Sequence, residues 1–273
     1  MNYFGMPFGM WTLLAKSFRT QLTKIFGYND ESARDITHKA KAKYKEIISE
    51  LPEFEKGDRF KMNLVNCAMI GAFILSMPQR PEMDSLTDYY AKSMMTKPMQ
   101  WFCRKSGKSK FTAKDIAAMK ATAALKAADR NPYSWNMEFY EYPDGSGYEG
   151  RFTQCGICVL MKELGLYDLT PALCHLDYTM SEAGGVTDFV RQYTIASGGP
   201  YCDCGYKKKS FCNDTYVTNA KCSIVEQLGG VVYFKHNSAA VNELVMGRRQ
   251  RRSGQKRRIQ AKESEQWMGN QWL

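Results

Sequence analysis

The first half of the chain repeats its apolar residues at helical spacing almost without a break. Leu13, Leu14, Phe18, Leu22, Ile25 and Phe26 fall on one face of a first helix. A second is predicted from Asn29 or Asp30, either of which can cap it, through a Lys/Glu-rich face to Leu51-Pro52. A third opens at Gly57-Asp58 and stops at Met77-Pro78, where proline cannot continue the ladder. A fourth spans Met83 to Arg104 with an interruption at Pro98. A fifth runs from a Thr112-x-x-Asp115 cap to Arg130, and Asn131-Pro132 closes the helical half.

Beyond Pro132 the period changes to alternation. Trp135 to Tyr142 and Tyr148 to Gln154 read as strands around the turn Pro143-Asp144-Gly145-Ser146-Gly147. A short helix, Ile157 to Leu164, is stopped by Gly165, and another begins at Thr170-Pro171 and runs to Gly184-Gly185. Thr187 to Ala196, the turn Ser197-Gly198-Gly199-Pro200 and Tyr201 to Tyr206 make a second hairpin. The expected fold class is α+β. A helical N-terminal region, residues 1–131, packs on a small antiparallel sheet with inserted helices, residues 132–209, as one folded unit. Residues 210–273 are unpatterned apart from an apolar run at Val231 to Phe234, and read as a basic, disordered tail.

Charge changes this picture only after it is located. A net charge of +10 and a pI near 9.1 suggest a nucleic-acid partner. Residues 207–273, however, hold 13 of the 38 basic side chains and only 5 of the 28 acidic ones, so +8 of the +10 sits in the tail. Arg248 to Arg258 carries seven of these bases with no interleaved aromatics, and a nucleic-acid reading rests on that cluster alone. Residues 1–206 are close to neutral and suit a small-molecule carboxylate as partner. The apolar run Met62 to Met77 contains Asn63 and Asn66 and is short for a membrane span. Met1 to Ala15 is apolar but meets its first base only at Lys16, the wrong order for a secretory signal. Nine cysteines, an odd number, in a chain long enough to bury its own core read as reduced thiols and a cytoplasmic protein. The many apolar helical faces leave room for a homodimer.

Candidate chemistry crowds into residues 151–206. Cys155-x-x-Cys158 sits where a strand meets a helix, whose N-terminus lowers a thiol pKa; a reactive thiolate, a metal ligand and two buried small side chains all fit that spacing. On the helix from Thr170, Cys174, Asp177, Tyr178 and Ser181 fall at i, i+3, i+4 and i+7, with His175 and Glu182 on the adjacent face. A helix that mixes cysteine with aspartate in this way lines a cavity, or rests Cys174 in the core with Asp177 at its rim. Arg191, read in the strand Phe189 to Ile195, either clamps a carboxylate or faces solvent. Strand alternation puts Cys202 and Cys204 on one face and Asp203 on the other. With Cys155 and Cys158 they form a candidate four-thiolate zinc set, the alternative to a site without cofactor.

These residues carry a resemblance. Arg151-Phe-Thr-Gln-Cys155, the Lys162-Glu-Leu-Gly-Leu166 helix end, Pro171-x-x-Cys174-x-x-Asp177-Tyr178 and Thr194-Ile-Ala-x-Gly-x-x-Tyr201-Cys202-Asp203 resemble the L-2-amino-thiazoline-4-carboxylic acid hydrolase family over roughly residues 133–209. That family closes with Cys-Asp-Phe-Arg, where this chain has Cys202-Asp203-Cys204-Gly205, so an arginine is missing here. The layout is also similar to the wider 4-vinyl-reductase-like group of small-ligand domains. Arg191 and Thr194 stand at two of that group's four zinc-ligand positions, which argues against zinc. The resemblance implies hydrolytic opening of a cyclic amidine to S-carbamoyl-cysteine, or a non-catalytic ligand-binding domain. Such chemistry needs a nucleophile, a proton relay and a cation for the carboxylate. Cys174 or Cys202 is the expected nucleophile and Asp177 the general acid/base, with Glu182 in reserve. Arg191 is the expected clamp, and Tyr178, Ser181 and Cys155 the further substrate contacts.

Overall fold

The apolar stripes of the first half bury against one another. In the computed structural model, residues 5–209 are described apart from 8, 56, 57 and 128; the expected basic tail over 210–273 lies outside them. Helix α1 (Met10–Phe26) turns Leu14, Phe18 and Leu22 inward and ends on Gly27, at a φ of 71° that favours glycine. Helix α2 (Asp30–Glu50) is capped as predicted: Asn29 Oδ1 accepts from the Ser32 N–H at 2.8 Å. Helix α3 (Lys61–Ser76) is the central helix, with every residue from Leu64 to Ile74 buried. Its Phe73 packs on Phe18, ring centroids 4.9 Å apart. It begins later than Gly57-Asp58 because Asp58 Oδ1 accepts from the Phe60 N–H, ahead of the first turn.

The predicted fourth helix is two. Helices α4 (Met83–Met94) and α5 (Lys97–Gly107) break at Met95 and Thr96, and Thr96 caps α5 with its hydroxyl. Pro98 lies inside the first turn of α5, where its missing N–H costs no helical bond. Helix α6 (Ala113–Lys126) starts at the predicted Thr112 cap, 3.2 Å from the Asp115 N–H. It stops short of Arg130 because Lys126 is drawn to Asp58, to Asp129 at 2.6 Å and to Ser134 at 2.7 Å.

The second half supplies a four-stranded antiparallel sheet of order β1-β2-β4-β3. Strand β1 (Glu138–Glu141) and strand β2 (Gly147–Phe152) flank the predicted turn. Helix α7 (Gly156–Glu163), a 3-10 turn at Tyr167–Leu169, α8 (Thr170–Cys174) and α9 (Leu176–Gly184) follow before β3 (Thr187–Val190) and β4 (Cys202–Lys208). The register sets Tyr148 opposite Tyr206, Gly150 opposite Cys204 and Phe152 opposite Cys202, all on the face turned to the helices. One apolar core runs through both halves, joining Phe18 and Phe73 to Phe152, Met161, Leu173 and Cys202.

Three expectations need correction. The first strand begins at Glu138, because Trp135 and Met137 are buried in the core ahead of the sheet. The segment from Thr187 leaves the ladder after Val190, since the Asp203 carboxylate takes the N–H groups of Gln192 (2.7 Å) and Tyr193 (2.6 Å). Arg191 therefore lies just past a strand instead of within one. The helix from Thr170 is broken at His175, beside which the Cys174 carbonyl accepts from Arg191 Nη1 at 2.9 Å.

Candidate functional site

The inner face of the sheet and the helices enclose a cavity of about 270 Å³. Gly150, Phe152, Thr187, Cys202, Cys204 and Tyr206 form its sheet wall, and side chains from α3, α4, α5, α6 and the α7–α9 segment line the other sides. Of the eight candidate residues, Cys155, Cys174, Asp177, Ser181, Arg191 and Cys202 line this space. Tyr178 and Glu182 do not. Tyr178 is 39% exposed and packs edge-on against Phe189, while Glu182 projects into solvent, so the reserve acid/base role loses its geometry.

Cys155 is held by the segments on either side of it. It is the N-cap residue of α7, in extended conformation. The preceding turn is fixed by Asn136 Oδ1, which accepts from the N–H groups of Thr153 and Gln154 at 2.9 Å each. Gln154 Nε2 in turn donates to the Asn131 carbonyl at 2.7 Å. Gly156 is required where it stands, because a Cβ there would lie 1.9 Å from the Tyr133 carbonyl oxygen. The Cys155 thiol is pulled below the usual thiol range, first by a hydrogen bond from the Cys158 thiol and then, against burial, by the N–H groups of Cys158, Ile157 and the Trp135 indole. Cys158 is pushed up as the donor of that pair.

The other cavity thiols move the opposite way. Burial pushes Cys174 up despite the nearby Arg191. It pushes Cys202 up to about 11, opposed by the Ile195 N–H that its sulfur accepts at 3.2 Å. Cys204 is raised to about 12, again by burial and against Arg191. The two cysteines expected as nucleophiles are thus held as thiols, and the one expected to bind substrate is the most acidic of the set. The strand-to-helix junction of Cys155-x-x-Cys158 was the signal for this. Its strength depends on Trp135 and Asn136, neither of which stands out in the sequence.

Arg191 is engaged by the protein itself. Nη2 donates to Asp177 Oδ2 at 2.6 Å and to Cys204 Sγ at 2.9 Å, Nη1 to the Cys174 carbonyl, and Nε to the Asp203 carbonyl at 3.2 Å. At most one of its five N–H groups is left for a ligand. This overturns its reading as an open carboxylate clamp; it ties α8, α9 and β4 together around the cavity. Ser181 likewise lines the space but is committed, donating to the Thr187 carbonyl at 3.1 Å and sharing a 2.6 Å hydrogen bond with the Thr187 hydroxyl. Sequence reasoning missed Arg59, Asn63, Asn66 and Lys110, which also line the cavity.

Among the described residues no group of three or more His, Cys, Asp or Glu side chains is placed to hold a metal ion, and none of the described cysteines is in a disulfide. No helix of the described residues is long and apolar enough to cross a membrane.

An α+β domain with a thiol-lined cavity between its helices and a small antiparallel sheet is the class that fold and site define. The family model for L-2-amino-thiazoline-4-carboxylic acid hydrolase matches residues 67–206, just over half of the 273-residue chain, and the chain belongs to this family. No curated protein and no solved structure matches the chain.

Proposed function

We propose that the chain is a hydrolase that opens the ring of 2-amino-thiazoline-4-carboxylate, or of a closely similar cyclic amidine, with Cys155 as nucleophile. One observation carries this reading. Of the thiols on the cavity wall, Cys155 alone is held below the usual range, at the N-terminus of α7 and among hydrogen-bond donors. A thiolate is the nucleophilic form of cysteine, and donors at a helix N-terminus favour it. The Cys155 sulfur adds to the amidine carbon, and the bond from that carbon to the ring nitrogen breaks as the nitrogen takes a proton. Water then adds to the same carbon and expels the Cys155 thiolate, leaving S-carbamoyl-cysteine. Asp177, on the cavity wall with Oδ2 fixed by Arg191, is the group available to steer that water.

The test is turnover of the thiazoline acid by purified protein, followed by mass-spectrometric detection of S-carbamoyl-cysteine. Loss of a nucleophile commonly costs several orders of magnitude, so Cys155→Ser should lower the rate at least about 100-fold. Cys174→Ala and Cys202→Ala should retain most of it. Activity surviving in Cys155→Ser but lost in Cys174→Ala or Cys202→Ala returns the role to those thiols. Saturable binding with no product from the unsubstituted protein makes this a ligand-binding domain, not an enzyme.

A further inference from the structure

Polar groups enter the cavity from a helix that otherwise has almost none. Helix α3 is buried from Leu64 to Ile74, yet Asn63 and Asn66 line the cavity, and Arg59 lines it from the residues just before the helix. Asn63 and Asn66, three residues apart, share one face of α3. Asn66 is 2% exposed, and its Oδ1 has no hydrogen-bond partner. A buried amide oxygen without a donor is an unfavourable arrangement that a ligand N–H relieves.

Lys110, just beyond α5, lines the same cavity as a second cation. Its Nζ donates to the Tyr148 hydroxyl at 3.0 Å and lies 4.1 Å from the centre of the Tyr206 ring. Arg59 donates to the Thr122 hydroxyl and the Ala118 carbonyl. Neither is in an ion pair among the described residues. Asp115 is linked to Lys110 through Tyr148, whose hydroxyl donates to Asp115 Oδ2 at 2.7 Å. Burial pulls both cations down in pKa, with Asp115 opposing, as fits charges short of a counter-charge. Elsewhere on the wall Arg191 and Asp177 neutralise each other. Counting Asp115 with the lining charges still leaves an excess of one positive charge.

We infer that Arg59, Lys110 and Asn66 form the recognition wall of the cavity. The carboxylate of a small ligand lies between Arg59 and Lys110, and its amino or amidine N–H donates to Asn66 Oδ1. This rests on the ring-opening reading above, and names how the same cavity selects its substrate. Arg59, Asn63 and Asn66 precede the segment matched by the family model, which begins at Cys67. The wall therefore joins Arg59 and Asn66, outside that segment, to Lys110 within it.

Calorimetric titration of Cys155→Ser with three probes tests this without turnover: the thiazoline acid, its carboxamide, and the analogue lacking the 2-amino group. Hydrogen bonds to charged groups and lost buried partners correspond to about 10- to 100-fold in affinity, and each altered probe should bind more weakly than the acid by that order. Arg59→Gln and Lys110→Gln should each weaken the acid about tenfold while leaving the carboxamide unchanged. Asn66→Leu should abolish discrimination against the deaminated probe. Equal binding of acid and carboxamide overturns the inference, and because it is read on one protein it does not depend on the wall variants folding. Selective binding of the acid by unsubstituted protein that forms no product overturns the hydrolase reading and leaves the recognition wall standing. Product formation with unchanged KM and affinity in Arg59→Gln and Lys110→Gln does the reverse.

Discussion

Asp203 organises the cavity from the far side of the sheet, and removing its charge should cost both stability and Arg191 placement. Its side chain is 8% exposed, and both oxygens accept backbone N–H bonds, from Gln192 at 2.7 Å and Tyr193 at 2.6 Å. These bonds turn the chain out of β3 and bring Arg191 to bear on Asp177, Cys174 and Cys204. Asp203→Asn keeps the shape but places an NH2 against one of the two N–H groups and leaves the other bond uncharged. Hydrogen bonds to charged groups are worth about 1.5–3 kcal/mol and neutral ones about 1. One bond lost and one weakened sum to about 2–4 kcal/mol of destabilisation. For a domain of this size that is roughly 5–15 °C in Tm. Urea denaturation gives the free energy directly, with Asp188→Asn, an exposed carboxylate on the same sheet, as a surface control. A midpoint for Asp203→Asn within about 0.5 kcal/mol of the unsubstituted protein, the range of neutral surface changes, would refute the claim that this carboxylate holds the loop.

Cys155 alkylation by iodoacetamide should rise with pH through an inflection below the usual thiol range, and Cys158→Ala or Trp135→Phe should move that inflection up, because each removes a donor to the sulfur. Gly156→Ala should destabilise by at least about 1–3 kcal/mol, since its Cβ would collide with the Tyr133 carbonyl, and should slow Cys155 alkylation by displacing the α7 N-terminus. Lys126→Met should cost about 3–5 kcal/mol by denaturant melt, because it leaves Asp58 and Asp129 without their shared cation. Burial raises the Asp129 carboxyl, but bonds from Lys126, the Asn131 N–H and Ser134 bring it below the usual carboxylate range. Its contribution is therefore complete above the unfolded value and is lost as pH falls through the depressed one. That acid limb should shrink in Lys126→Met.

Helix positions were legible because amphipathic stripes and caps are local: Asn29, Thr96 and Thr112 each cap with their own side chain. Pro98 marks the interruption in the sequence, but the break itself falls at Met95 and Thr96, because proline is tolerated in the first turn of α5. The sheet was legible as alternation, and its second hairpin stopped being so at Val190, beyond which a carboxylate ten and eleven residues from the N–H groups it accepts replaces ladder bonds. Six of eight candidate residues reached the cavity: the cysteine, aspartate and serine between Thr170 and Gly184 were informative even though that helix breaks at His175, and Cys155, Arg191 and Cys202 join them from the flanking segments. Their roles were not. Whether Arg191 is free or committed depends on the long-range fold, and thiol acidity depends on which backbone N–H groups point at each sulfur. Asn63 and Asn66 were visible only as blemishes in an apolar run, and a helix buried on all sides gives no period from which to read a functional face.

The missing family arginine now has a physical reading. Position 205 pairs with Glu149 on the sheet face turned away from the cavity, and a Cβ at Gly205 would meet the Tyr142 hydroxyl at 2.3 Å and Val190 Cγ2 at 2.6 Å. The arginine is therefore absent from the outer face and not from the site. The neighbouring departure, Cys204 in place of the family's phenylalanine, does reach the cavity, and its sulfur accepts from Arg191. Cys204→Phe should then act on binding more than on stability. Overpacking a filled core costs about 1–3 kcal/mol, but a ring at position 204 points into about 270 Å³ of open space and should cost less than that. The same ring removes room for the ligand and the sulfur partner of Arg191, so affinity for the thiazoline acid should fall about tenfold or more, a change worth about 1.4 kcal/mol. Denaturant melts and calorimetry on one preparation separate the two effects. A stability loss of about 3 kcal/mol with unchanged affinity would mean that Cys204 belongs to the packed core and that the cavity lies elsewhere.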